Sequence, residues 1–372
     1  MNHRRVPVSS PRLGRAERSY VIRALRDGWI SSRGPYVEEF ETRFAKRVGS
    51  AIGVSTTSGT SALHLALAAL GVGPGDEVVI PDFTMIACVN AVIYTGAKPV
   101  FVDVNPQTWT MEAKHVEPKL TERTAAIMPV HIYGHPADMA PLLRLARNHG
   151  IPVIEDAAEA HGSLYRGHTV GSIGDVGCFS FYSNKLMTTG EGGMLVTRSR
   201  KIEKSARSLR DLCFARSTRD YHHSRLGFNY RMTNLQAAVG LAQLERLDSS
   251  IRHHRDCANL YSEVLSELPG IVLPEEASWA RSVFWMYTIR VKGGGARRRR
   301  LMRELASRGI ETRVGFWPLH SQPFCATFVS DQESFPVSDR LGTETLSLPS
   351  GNGISRSDVH YVARSLKDIL KS

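Results

Sequence analysis

Short apolar runs rich in β-branched residues alternate, along the first half of the chain, with stretches where Ala and Leu recur at helical spacing. The runs 52–55, 77–80, 100–102, 125–130 and 153–155 predict strands. Residues 61–70, 86–94 and 139–148 predict helices, and GVGPGD at 71–76 reads as a turn. This alternation predicts an α/β domain on a mainly parallel sheet. Beyond Gly174 the pattern changes. Residues 176–182 and 193–197 read as two strands joined by a polar, glycine-rich loop. A long helical region follows from 233 to 268, broken near Asp248, then a strand at 285–291 and helices at 297–308 and 355–370. The expected domains are 1–246, with an N-terminal arm, and a smaller α+β unit at 247–372.

Composition narrows the class. The chain has 372 residues, 42% hydrophobic and 22% charged, ordinary for a globular protein and enough for two domains. Apolar runs such as 125–130 are far too short to span a bilayer. The basic start, MNHRRVPVSSPRLGR, lacks the apolar stretch of a secretory signal. The cysteines at 88, 178, 213, 257 and 325 are scattered, odd in number and form no CxxC pair. Neither a disulfide framework nor a metal site is expected, and reduced thiols point to the cytoplasm. A net charge of +11 raises nucleic acid as a partner. The basic residues are spread along the chain, however, and the dense run at 297–300 opens an amphipathic stretch, read as a solvated helix face. No nucleic-acid or membrane partner is expected. A positive field also suits a phosphate-bearing ligand.

Three segments carry candidate chemistry. In FSFYSNKLMTTGEGGMLVT (179–197), Lys185 lies in a loop between apolar strands, with Ser180 and Ser183 before it and Gly190, Gly192 and Gly193 after it. A lysine is most often a solubilising charge. The hydroxyls, and glycines that let backbone approach a ligand, favour an amine able to form a Schiff base. In VIEDAAEAHGS (153–163), Glu155 and Asp156 fall where a strand ends, the edge at which α/β sheets bind ligands. A carboxylate there suits a protonated pyridine nitrogen; capping of the next helix fits equally well. In STTSGTSALHLAL (55–67), Ser58, Gly59 and Thr60 open a helix, either as a phosphate site or as a simple cap. GVGPGD follows a helix rather than a strand, so a dinucleotide loop is discounted.

Together these segments resemble the DegT/DnrJ/EryC1/StrS family of sugar aminotransferases, of the aspartate aminotransferase fold (fold type I). The likeness extends from GWISSRGPYVEEFE (28–41) through GFNYRMTNLQAAVGLAQLERLD (227–248) to GIETRVGFWPLHSQPF (309–324). It implies pyridoxal 5'-phosphate (PLP) as cofactor, Lys185 as the Schiff-base lysine and Asp156 as the pyridinium partner. Ser58, Gly59, Thr60 and Ser180 would hold the cofactor phosphate, joined by Asn229 from the other subunit of a homodimer with shared sites. Glu159 would lie near the ring hydroxyl, one of the two sharing a proton. Met85 stands where many relatives stack an aromatic on the ring. Arg313 and His320 would face the substrate, whereas His131, His161, Trp285 and Tyr287 read as core or hydrogen-bonding residues. The resemblance further implies L-glutamate as donor and a nucleotide-linked keto sugar as acceptor, in particular GDP-4-keto-6-deoxymannose. A dTDP-linked 3- or 4-keto sugar and a keto-cyclitol are the alternatives. A non-catalytic regulatory protein on the same scaffold is the reading from another class, and the intact Lys185 and Asp156 argue against it.

Overall fold

The computed structural model describes residues 4–215 and 220–371; the first three residues of the basic N-terminal segment lie outside it. Seven strands form the central layer: β1 (Ile52–Thr56), β2 (Glu77–Pro81), β3 (Lys98–Val102), β4 (Thr124–Ile127), β5 (Ile154–Asp156), β6 (Val176–Ser180) and β7 (Gly193–Thr197). One sheet runs β3-β2-β4 and the other β5-β6-β7-β1. Parallel bridges Ile127–Val153 and Val130–Asp156 join them edge to edge. Neighbours are parallel except around β7, which is antiparallel to both β6 and β1. The expectation of a mainly parallel α/β sheet holds. Strands β1, β2, β6 and β7 are buried throughout, so they carry unbroken apolar runs rather than alternation.

Helices Gly59–Leu70, Ala87–Tyr94 and Met139–His149 fall within one or two residues of their expected bounds. The long helical region divides at Arg246 (φ −111°, ψ 8°) into Asn234–Glu245 and Leu247–Leu265. Two helices near the N-terminus, Arg15–Arg26 and Pro35–Val48, and a third at Arg200–Arg210 had no counterpart in the expected pattern. Pro35–Val48 starts with Pro behind Gly34 and ends at a left-handed Gly49. It buries Phe40 and Phe44 against Phe179 and Phe181, ring centroids 4.9–5.1 Å apart. That aromatic cluster backs the loop bearing Lys185.

The apolar core is divided. The larger cluster covers the sheet and its helices and takes in Leu319, Phe335 and Leu341 from late in the sequence. The smaller gathers Cys257–Leu265, Tyr287–Val291, Leu301, Leu346 and Val359–Ile369 around a four-stranded sheet. Val6 belongs to this second cluster, and its backbone bonds to Gly309 and Glu311 at 2.9 Å. One expectation is corrected here. The helix Gly294–Ser307 does not solvate all of the basic run: Arg298 is buried, and its Nη1 donates to the carbonyls of Gly342 and Thr345 at 2.7 and 3.2 Å. The two carbonyls lie where the helix Pro336–Glu344 ends and satisfy Nη1, while the buried Nε finds no partner among the described residues. The five cysteines are buried thiols. Among the described residues no helix is long and apolar enough to cross a membrane.

Gly193 couples this fold to the site. It lies between Thr56 and Ser180 in the sheet, and a Cβ there would meet the Ser58 carbonyl at 2.2 Å. Gly193→Ala should therefore displace the start of helix Gly59–Leu70 and lower stability by about 1–3 kcal/mol. A urea midpoint equal to that of the native chain would show instead that the turn yields without cost.

Candidate active site

A cavity of about 430 Å³ opens at the carboxyl end of the parallel strands, lined by residues as far apart as Ser58, Asp156, Lys185, Trp285 and Arg313. Lys185 reaches it from the β6–β7 loop. That loop is closed by Phe181 N–H to the Gly192 carbonyl (2.8 Å) and Thr189 N–H to the Phe181 carbonyl (2.9 Å), and anchored by buried Leu186 and Met187. Gly190 (φ 83°) makes the return turn. The amine therefore projects from a rigid loop. Its Nζ is 3.5 Å from Glu159 Oε1 and 3.8 Å from the centroid of the Trp285 ring. Burial lowers its pKa, against the pull of Glu159 and Asp156.

The acidic pair at the end of β5 is split by the strand's alternation. Glu155 points away from the cavity and accepts from the amides of Gly171, Ile173 and Gly174 at 2.7–2.8 Å and from His131 Nε2 at 3.0 Å. His131 Nδ1 accepts from Ala137 N–H, so Nε2 carries the proton and the histidine is a strut. Asp156 faces the cavity. Its Oδ1 accepts from Ala158 N–H (3.0 Å) and its Oδ2 from the Cys88 thiol (3.1 Å), which burial keeps protonated. Asp156 makes no ion pair among the described residues. Glu159 Oε2 accepts from Tyr133 N–H at 2.7 Å, and burial pushes its carboxyl up to about 7.

Ser58 caps helix Gly59–Leu70, accepting from Ser61 N–H at 3.1 Å, while Ser61 Oγ accepts from Ser58 N–H at 2.8 Å. This leaves the first-turn amides of Gly59 and Thr60 on the cavity wall. A Cβ on Gly59 would meet Ser180 Cβ at 2.7 Å, so glycine lets the turn and the Ser180 hydroxyl share one corner. Met85, about half exposed, and Arg313 also line the cavity. His320 does not. Its Nδ1 is 2.7 Å from buried Asp82, its Nε2 3.3 Å from Asp339, and its ring stacks on Phe335. The histidine expected to face substrate instead pins the 313–324 segment to the end of β2. Asn229 lies in a bridge with Asp211, away from the cavity of its own chain. His161 is buried, its pKa lowered to about 3 by burial, and neither ring nitrogen finds a hydrogen-bond partner among the described residues.

Sequence reasoning missed Cys88, Tyr133 and Trp285 as residues of the site. Tyr133 carried a signal, since HIYG directly follows a predicted strand at the ligand-binding edge. Nothing in the sequence marked Cys88 or Trp285.

This site suits PLP. The Asp156 carboxylate lacks a cationic partner among the described residues, the helix start is open with hydroxyls beside it, and a buried amine faces the same cavity. Fold and site together define a fold type I PLP-dependent enzyme. The chain belongs to the DegT/DnrJ/EryC1/StrS aminotransferase family, whose profile matches residues 11–367. It is 43% identical over 368 residues to the GDP-perosamine synthase of Caulobacter vibrioides, covering 98% of each chain. DesV of S. venezuelae superposes with a TM-score of 0.90 at 37% identity, covering 96% of this chain and 94% of that one. The PLP form of the putative sugar aminotransferase Spr1654 from Streptococcus pneumoniae gives 0.92 at 28% identity, covering 99% of each. The chain is thus a PLP-dependent sugar aminotransferase, with an amino donor and a sugar acceptor.

Glu159 generates a pH dependence. A carboxyl raised from 4.5 to about 7 by burial holds a proton in the folded state that the unfolded state has lost. Its contribution to stability is complete below about pH 4.5 and is lost as pH rises through 7. Thermal melts of the cofactor-free protein should decline over that window, and Glu159→Gln should flatten the decline. An unchanged slope in the variant would exclude Glu159 as its source.

Proposed function

We propose that this enzyme transfers an amino group from L-glutamate to C4 of GDP-4-keto-6-deoxymannose, yielding GDP-perosamine, as a homodimer with shared sites. The chemistry rests on one observation: the Lys185 amine, the Asp156 carboxylate and the open helix start at Gly59 face a single cavity. The substrate follows from the likeness to GDP-perosamine synthases, at 43%, 41% and 38% identity in three organisms.

Lys185 holds the cofactor covalently through Nζ. When freed, the same nitrogen takes the proton from the donor's α-carbon and later delivers one to the sugar's C4. Burial lowers its pKa, which makes the amine easier to deprotonate than a free lysine. Asp156, fixed in orientation by Cys88 and the Ala158 amide, would hold the protonated pyridine nitrogen. When bound, PLP supplies the electron sink that makes the α-proton acidic. Glu159, raised by burial, would share a proton with the ring hydroxyl. The amides of Gly59 and Thr60, with the Ser58 and Ser180 hydroxyls, take the phosphate, and Asn229 from a neighbouring copy completes that grip. Met85, on the cavity wall, would cover one face of the ring. Arg313 offers its guanidinium to the anionic groups of either substrate, and His320 acts through the segment it pins.

Lys185→Ala should lower turnover by about 10³-fold or more and abolish borohydride fixation of PLP. Full turnover in that variant would end the assignment. Chromatography of products from GDP- and dTDP-linked keto sugars and a keto-inositol, each with L-glutamate, addresses the substrate. Amination of the GDP-linked 4-keto sugar is expected. Turnover of a dTDP-linked sugar or the keto-inositol alone would replace the substrate while keeping the chemistry.

A further inference from the structure

Trp285 has no part in the roles proposed above, yet its ring lies directly against the amine. Lys185 Nζ is 3.8 Å from the indole centroid, a close cation–π contact. The indole is held by the same groups that organise the site. Its Nε1–H donates to the carbonyl of Asn184, the residue before Lys185, at 2.8 Å. Its plane is stacked with Tyr133 (6.3 Å, 18°), which stacks in turn on Phe316 (5.3 Å, 10°). Tyr133 also donates its N–H to Glu159, the carboxyl 3.5 Å from Nζ. Tyr133 (φ 51°) and Phe284 (φ 48°), which precedes Trp285, both hold left-handed backbone that side chains of their size rarely adopt. Two unfavourable conformations thus aim one amide at Glu159 and one ring at Lys185.

We propose that Trp285 is a positioning residue that receives the Lys185 amine whenever it is not bonded to the cofactor, its π face holding the ammonium form between proton transfers. The inference rests on Lys185 being the reactive amine. Burial alone would suppress the ammonium, and a carboxylate alone would hold it as a fixed ion pair. An aromatic face favours the cation without presenting a basic atom that competes for the proton. Among the described residues, Glu159 and Asp156 favour its charged form and Arg313 opposes it, while nearby His161, its pKa lowered to about 3 by burial, is neutral. Trp285 adds a contribution that does not itself titrate.

The test uses cofactor-free full-length protein. Competitive labelling with acetic anhydride, read by mass spectrometry on the Lys185 peptide, follows the neutral amine across pH. Trp285→Leu keeps apolar bulk and removes the π face; it should lower the labelling midpoint by about one pH unit. Trp285→Phe, with a weaker π face, should fall between Leu and the native chain. Midpoints unmoved or raised in both variants overturn the proposal. If the Leu variant fails to fold, the Phe variant decides, a lowered midpoint supporting the proposal and an unmoved one overturning it. PLP fixation by borohydride on native protein is measured in parallel. Its absence at Lys185 overturns the functional reading, and with it this inference.

Discussion

A lysine amine that must serve as nucleophile and proton carrier needs a place where neither of its charge states dominates. Open water keeps it an ammonium at neutral pH, and a plain apolar interior keeps it neutral. Both influences act on Lys185: burial lowers its pKa, while a carboxyl at 3.5 Å and an indole at 3.8 Å favour the cation. The site's other features maintain that balance. The β6–β7 loop is closed by hydrogen bonds at both ends, so the amine is held rather than tethered. The aromatic cluster of Phe40, Phe44, Phe179 and Phe181 keeps the ground beneath the loop dry.

The carboxylates are distributed by the geometry of the sheet. Because successive side chains on a strand point to opposite faces, β5 sends Glu155 to a nest of three amides and an imidazole, and Asp156 to the cavity. One acid serves the architecture and its neighbour is left for a ligand. Glu159, a short turn later, is raised by burial to about 7 and can share a proton instead of repelling Asp156. Three acids close in sequence thus acquire three different sets of partners from their surroundings alone.

Much of this is legible in the residue pattern. Continuous apolar runs located the buried strands β1, β2, β6 and β7, and the strand–helix alternation located the parallel sheet, because a sheet covered on both faces by helices requires such runs. The first two helices were missed, although Pro35–Val48 was legible: Pro opens it, Gly49 closes it, and Tyr36, Phe40, Phe44 and Val48 recur every fourth residue. Arg15–Arg26 carries four arginines in twelve residues and buries only Glu17 and Ala24, so its apolar side chains are mostly exposed or half-buried. His320 shows the limit at the site: its motif suggested a substrate contact, whereas Asp82, 238 residues away, takes its proton-bearing nitrogen. Arg298 shows the same limit in the core, its burial set by two carbonyls that no local pattern reveals.

By itself, then, the sequence determined the elements, their order, the reactive residue types and the loop or strand end on which each stands. These are local properties, set by periodicity, turn chemistry and capping, and they survive without knowledge of what packs against them. The tertiary structure decided which of those groups meet. It brought residue 285 over residue 185, turned the Cys88 thiol to Asp156, and drew His320 off to Asp82. Such contacts join segments tens to hundreds of residues apart. They depend on how the whole chain closes around its core, a matter on which the spacing of residues along any one segment is silent.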